Sequence, residues 1–286
     1  MPDFQGGAEM RSLRRKRAYG LFVSLVTGFS VWLIASVALA ETFCVSDETE
    51  LQAALDEAAI NNQDDFIKIR QGTYYGSFTY NSTEAYSLTS KGGYYHPRCK
   101  KRVVDPANTV LDGQNNGSVL SLSAPNVNTS ITISGLTLRN GNPYYMDGGG
   151  LYVNAVNSGL NLNETVIRNS YSNGDGGGAY ISANSVNLTN NQITNNQTGI
   201  SDETSGGGVY LEASNAIVSN NVFSYNHSKY RGGGVYIQSI NTDFFDNVVS
   251  NNSSNGGGGI SIMFGSKVTL VNNNINQNHG KQYGGG

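Results

Sequence analysis

Charge is scarce in this chain, and so are the residues from which most active sites are built. Only 14% of its 286 residues are charged, and its three histidines, His96, His227 and His279, lie far apart in the sequence. A lyase needs a base poised beside clustered acids, and nothing of that kind surrounds these histidines. Once the first forty residues are set aside, the remaining charge is low and mildly acidic, which argues against nucleic acid as a partner. Past residue 40 no apolar run is long enough to span a bilayer. From residue 148 onward no stretch carries helical periodicity.

What the chain does have is a phrase that returns. Gly148-Gly149-Gly150-Leu151-Tyr152-Val153 recurs as Gly176-Gly177-Gly178-Ala179-Tyr180-Ile181, Gly206-Gly207-Gly208-Val209-Tyr210-Leu211 and Gly232-Gly233-Gly234-Val235-Tyr236-Ile237. It weakens to Gly257-Gly258-Gly259-Ile260-Ser261-Ile262 and opens once more at Gly284. The spacings between first glycines are 28, 30, 26, 25 and 27 residues. A fixed period of this size means stacked supersecondary units. A second phrase sits midway in each unit, best seen at 186–196 (VNLTNNQITNN), 216–226 (AIVSNNVFSYN) and 268–278 (VTLVNNNINQN), with looser copies at 160–170 and 242–252. Each unit therefore reads as three very short alternating segments separated by Gly or Asn, a strand signal.

Strands this short form no sheet alone. A chain that turns three corners per unit and climbs by one strand spacing, about 4.8 Å, pairs each segment with its copy in the next turn. That object is a parallel β-helix. Asn tolerates left-handed corners, and stacked amides bond along the axis. The Gly triplets allow a tight corner where a Cβ would collide.

In chain order, residues 1–40 read as an export signal: Arg11, Arg14, Arg15, Lys16 and Arg17 form a basic leader, with Met10 as a second possible start, and an apolar run covers 21–39. Ala38-Leu39-Ala40 offers a cleavage site before Glu41. Cys44 and Cys99 are then both exported, and a disulfide between them would close a loop of about 55 residues, contributing on the order of 4 kcal/mol. Residues 41–65 form the cap region, in which 49–59 (TELQAALDEAA) is the one amphipathic helix, with Leu51, Ala54, Leu55 and Ala58 on one face. A solenoid needs such a cap, because an open parallel end templates aggregation. The β-helix is expected over 66–286, with its first strand at 66–69, an exit corner at 71–74, irregular early coils at 77–80, 87–89, 109–112 and 118–122, and 131–138 matching the second phrase.

The pattern of 51–59, 67–74 and Val110-Leu111-Asp112-Gly113, followed by Gly-Gly-Gly-x-Tyr-Ile coils, resembles secreted bacterial right-handed β-helix proteins of the pectin-lyase-like superfamily. The Gly-Gly-Gly-Val-Tyr and Phe-x-x-Asn elements, such as Phe223 to Asn226, are similar to those of polymorphic outer-membrane proteins, which are autotransported adhesins. The resemblance implies an all-β, right-handed parallel β-helix solenoid with a short N-terminal capping α-helix. It leaves function open, since adhesins, lyases and hydrolases share such coils.

Candidate binding residues follow from which way each side chain points. Residues flanking the repeated Tyr point inward, so Tyr152, Tyr180, Tyr210 and Tyr236 should form an outward aromatic stripe. That stripe either takes sugar rings or stabilises the sheet surface through ring contacts. Coil length varies mainly just before each Gly triplet, so the insertions 142–147, 171–175, 197–205, 227–231, 253–256 and 279–283 fall on one corner, a usual binding edge. Tyr230 and Arg231 are the binding candidates there, and Asp202 and Glu203 are among that corner's charges.

Catalysis is less well supported. Asn241-Thr242-Asp243 superficially matches an element of polygalacturonase-like hydrolases, but the accompanying Asp pair, Gly-His-Gly and Arg-Ile-Lys are missing. Asp147 and Asp175 occupy equivalent positions one coil apart, too few ligands for Ca²⁺. No cofactor or metal is expected. The expected protein is secreted or held at the outer surface of a bacterial cell, adhesin-like or carbohydrate-binding, with a polysaccharide or another cell surface as partner and the membrane involved only through the export signal or a C-terminal anchor. The alternative is a polysaccharide lyase or glycoside hydrolase of the same fold. Because another coil begins at Gly284, the sequence reads as a piece of a longer solenoid.

Overall fold

The computed structural model describes residues 40–144, 146–199, 203–263 and 265–285. The segment expected to be an export leader lies outside the described residues up to residue 39, as does Asp202 of the corner insertions. Strand β1 (Glu41–Val45) pairs in parallel with β2 (Asp65–Arg70), setting Cys44 opposite Lys68. Helix α1 (Glu48–Ala58) crosses between them. The parallel ladder thus begins inside the segment expected to be cap alone. Five residues ahead of a helix are too few to carry a periodic signal, so β1 was not foreseen.

Asp47 caps α1 by accepting the Glu50 N–H at 2.8 Å, and Ser46 donates to the Glu50 carboxylate at 2.9 Å. Its four expected apolar residues are buried against the end of the core. The disulfide joins Cys44 to Cys99. Residues 71–74, expected as a corner, lie mostly in β3 (Gly72–Tyr75), the first rung of a second parallel ladder. Strand β4 (Phe78–Asn81) starts a third rung set, pairing with Leu120–Ser123.

The result is an all-β parallel solenoid of about nine turns with one helix near its N-terminus. In the middle coils two of the expected short segments fuse into one long bent strand, as in Leu151–Asn163, Ala179–Thr189 and Val209–Ser219. Inward residues alternate along each, and Leu160, Val186, Ala216 and Val218 join a continuous apolar core in which the Phe223 and Phe244 rings stack at 6.0 Å.

The paired asparagines divide their work. The first of each pair takes the left-handed corner: Asn190 and Asn220 have φ 56°. The second turns inward, buried, and builds a ladder. The Asn191 amide donates to Asn221 Oδ1 at 3.0 Å, Asn221 to Asn247 at 3.1 Å, and Asn247 to Asn273 at 3.1 Å. Each amide also donates to a carbonyl of the preceding coil, as Asn221 does to Leu188 at 2.8 Å. A second ladder runs from Asn196 through Asn226 and Asn252 to Asn278 at 3.0–3.1 Å per step. A buried polar row is tolerable only when every donor and acceptor is matched in this way.

The three glycines of each triplet answer three constraints. Gly206 has φ +72°; a Cβ on Gly207 would lie 2.4 Å from the His227 carbonyl carbon; one on Gly208 would lie 2.9 Å from the Asn226 amide nitrogen. The third glycine is therefore the space in which the second amide ladder sits.

Candidate functional site

The repeated tyrosines do line up. Tyr152, Tyr180, Tyr210 and Tyr236 are register partners on successive rungs, with ring centroids 5.6, 5.2 and 5.1 Å apart and planes inclined by 12–28°. The rings stack face to face along the axis and present their edges outward, in line with ring contacts that stabilise the sheet surface. Tyr236 is buried, and the other three are half-buried. Tyr210 Oη donates to Gln238 Oε1 at 2.6 Å. Burial raises all four hydroxyl pKa values, reinforced at Tyr180 by the Glu212 carboxylate. Ring contacts of this kind stabilise by roughly 0.5–1.5 kcal/mol each.

Described residues of the corner insertions form a rung of their own. Tyr171 pairs with Gln197, and bridges continue the rung through His227 and Ser253 to His279. His227 Nδ1 lies 2.9 Å from Ser253 Oγ, and burial, with Lys281 and Lys229 adding to it, keeps the imidazole below its usual pKa. Arg231 stacks its guanidinium 4.6 Å from the Tyr230 ring centroid, so those two candidates meet. They are not part of the tyrosine stack. Asp147 and Asp175 link successive coils: Asp147 Oδ1 accepts the Asp175 N–H at 2.7 Å, and Asp175 Oδ1 accepts the Ser205 N–H at 2.6 Å. Each carboxylate caps the next coil. Among the described residues no group of three or more His, Cys, Asp or Glu is placed to share an ion.

A different feature was not foreseen. Where the long strands bend, a groove of about 490 Å³ runs across the coils. Its floor follows the register Ser130, Gly159, Ser185, Asn215, Asn241, five successive rungs. At the ordinary rung spacing that is a channel roughly 19 Å long. Outward side chains of the second phrase line it: Asn161, Asn187, Ile217 and Asp243. Asn215 and Asn241 join amides at 3.2 Å on its wall, while Asn187 Oδ1 has no partner. Ile217 is 46% exposed and interrupts the polar row with one apolar face. The outward positions of the second phrase were legible in sequence, but nothing in the sequence announced that the strand bends there and folds them into a channel. Asn241-Thr242-Asp243 lies in this groove with Asp243 outward, as its strand register required. Asp243 is the one carboxylate among the described lining residues, so the groove lacks the acid-and-base pair that glycoside hydrolysis uses.

Residues 125–286 match the family described as right handed beta helix region. The match takes in more than half of the chain, which therefore belongs to the right-handed β-helix family. No curated protein sequence matches it. Among solved structures it is similar to pectin methylesterase from Aspergillus niger in penultimately deglycosylated form, with 13% identity, TM-score 0.43 and coverage of 84% of this chain and 87% of that one. The deglycosylated form of that enzyme aligns with 13% identity, TM-score 0.44 and coverage of 86% and 90%. Likeness at this level says nothing about activity.

Proposed function

We propose that this protein is an extracellular or surface-displayed glycan-binding β-helix that holds a polysaccharide strand along the solenoid axis. The observation that carries this reading is the groove: a channel across five rungs, lined by amides, one carboxylate and one exposed isoleucine. Sugars present hydroxyls at their edges and C–H groups on their faces, and this lining offers a partner to each. The stacked tyrosines serve the same reading as a stiff neighbouring surface, and Tyr230 with Arg231 as a corner contact. The Cys44–Cys99 disulfide and the exported leader fit surroundings outside the cytoplasm.

The test is calorimetric titration of the whole protein with a panel of neutral and uronic polysaccharides, followed by Asn187→Ala and Asp243→Ala. Binding to at least one polymer is expected, weakened about tenfold in each variant with the fold intact, as befits loss of one or two hydrogen bonds. Binding by none of them, or binding that both variants retain, would sink the proposal. Release of reducing ends or unsaturated sugars would replace it with a hydrolase or lyase.

A further inference from the structure

Charge is distributed unevenly at the N-terminal end. Residues 41–65 hold eight carboxylates and no Lys or Arg, whereas residues 66–104 hold seven Lys or Arg and a single carboxylate. The fold then gathers three of those cations on one outer face. Lys68 and Lys91 are register partners on adjacent rungs. Lys68 Nζ lies 5.2 Å from the Phe66 ring centroid and 5.7 Å from that of Tyr94, and Lys91 Nζ lies 5.6 Å from Phe66. The Arg102 guanidinium stands 5.9 Å from Tyr94, held by bonds from Nε to the Gly92 carbonyl (2.8 Å) and from Nη2 to Ser134 Oγ (3.0 Å). Ser134 is in turn the register partner of Lys91. Further exposed cations, Lys100 and Lys101, follow on the segment that Cys99 pins to Cys44.

Like charges directly opposite one another on a sheet repel. The two aromatic rings temper this through cation–π attraction. Among the described residues none of these three cations forms an ion pair. Glu164 reaches Ser134 Oγ at 3.2 Å without pairing to the guanidinium.

We propose that this face is a second binding site, separate from the groove, for an acidic glycan whose carboxylate or sulfate groups sit on Lys68, Lys91 and Arg102. Cations repeated on successive rungs suit a polymer with an anion on each repeat. Nucleic acid fits poorly, because the ring faces that would stack bases are already covered by cations, and the disulfide belongs to oxidising surroundings.

The experiment is binding of the full protein to heparin, to alginate, to neutral dextran and to phosphatidylserine vesicles, at low and raised salt. Salt-sensitive binding to heparin or alginate is expected, and whichever polymer binds identifies the anion as sulfate or carboxylate. Lys68→Gln with Lys91→Gln should weaken it about tenfold or more, and the exposed pair Lys100→Gln with Lys101→Gln by less. If the first double variant unfolds, salt sensitivity of the unaltered protein still decides. No binding to either acidic polymer, binding indifferent to salt or to the lysines, or equal binding to dextran or to the vesicles would overturn the proposal.

Discussion

Gln52 pairs with Thr79 as though it were a strand. Its Oε1 accepts the Thr79 N–H at 2.9 Å and its Nε2 donates to the Thr79 carbonyl at 2.8 Å. Thr79 is in β4, whose other side pairs with Leu120–Ser123, so the helix supplies through one side-chain amide the bonds that a preceding coil would give. Glu48 does the same for β3 by accepting the Tyr75 N–H at 3.0 Å. The helix thus protects the first edge by hydrogen bonding as well as by apolar cover.

Gln52→Leu keeps the helix and exposes that edge. A loss of about 1 kcal/mol is expected, together with faster aggregation on mild heating. Thermal unfolding followed by circular dichroism and light scattering reads both, and a variant no more aggregation-prone than the parent would show the pairing to be incidental.

Within one corner, Asn220 and Asn221 should respond very unequally. Asn221→Ala removes a buried amide bonded on both sides and strands its neighbours, at a cost of about 3 kcal/mol. Asn220→Gly relieves a left-handed residue and should cost nothing measurable. Urea midpoints of the two variants would separate the roles, and similar midpoints would refute the division.

Gly208→Ala places a methyl group 2.4 Å from the Gly234 carbonyl oxygen as well as against the Asn226 ladder. Backbone on one side and a satisfied amide on the other leave little to yield, so destabilisation of at least about 2 kcal/mol is expected. Hydrogen exchange should show the loss centred on the coils around Asn226. An unaltered exchange pattern would mean that the third glycine is dispensable.

Burial pushes Asp175 up to about 6, against the Ser205 N–H that holds it down and with the Asp147 charge adding to the rise. The folded state therefore favours the protonated acid. Its stabilisation is complete below the ordinary carboxylate value of 3.8 and is lost as pH rises through about 6. Asp65, also pushed up to about 6 by burial, titrates in the same window, so the diagnostic is a difference between proteins. Between pH 4 and 7 the melting temperature of Asp175→Asn should fall less than that of the parent; parallel curves would rule the effect out.

Reducing the Cys44–Cys99 bond frees a loop spanning 55 residues of sequence, with an expected loss on the order of 4 kcal/mol. Proteolysis of the reduced protein should begin within the first coils while the repeats from residue 148 persist. Cleavage appearing first among the later coils would contradict this.

The periodic part of the fold was readable because a solenoid repeats its constraints. Gly-Gly-Gly-x-Tyr and Asn-Asn recur because each coil meets the same corner, and the capping helix showed its apolar face at helical spacing. β1 escaped because it occurs once and is five residues long. The corner insertions looked like loops because their rung pairs one or two residues per coil, below what alternation can reveal.

The sequence by itself determined the coil: its period, its inward residues, its asparagine corners and its disulfide follow from local patterns and the chemistry of single residues. Which outward residues become a surface was decided only in the tertiary structure. Tyr152 to Tyr236 point outward by parity, yet stacking at little more than 5 Å spends their faces on one another. Asn187 and Asp243 belong to one groove because the strands bend where they do, and Lys68, Lys91 and Arg102 share a face because two rungs and a pinned segment bring them there. Those placements depend on angles between segments and on contacts 11 to 56 residues apart in sequence, which no local pattern encodes.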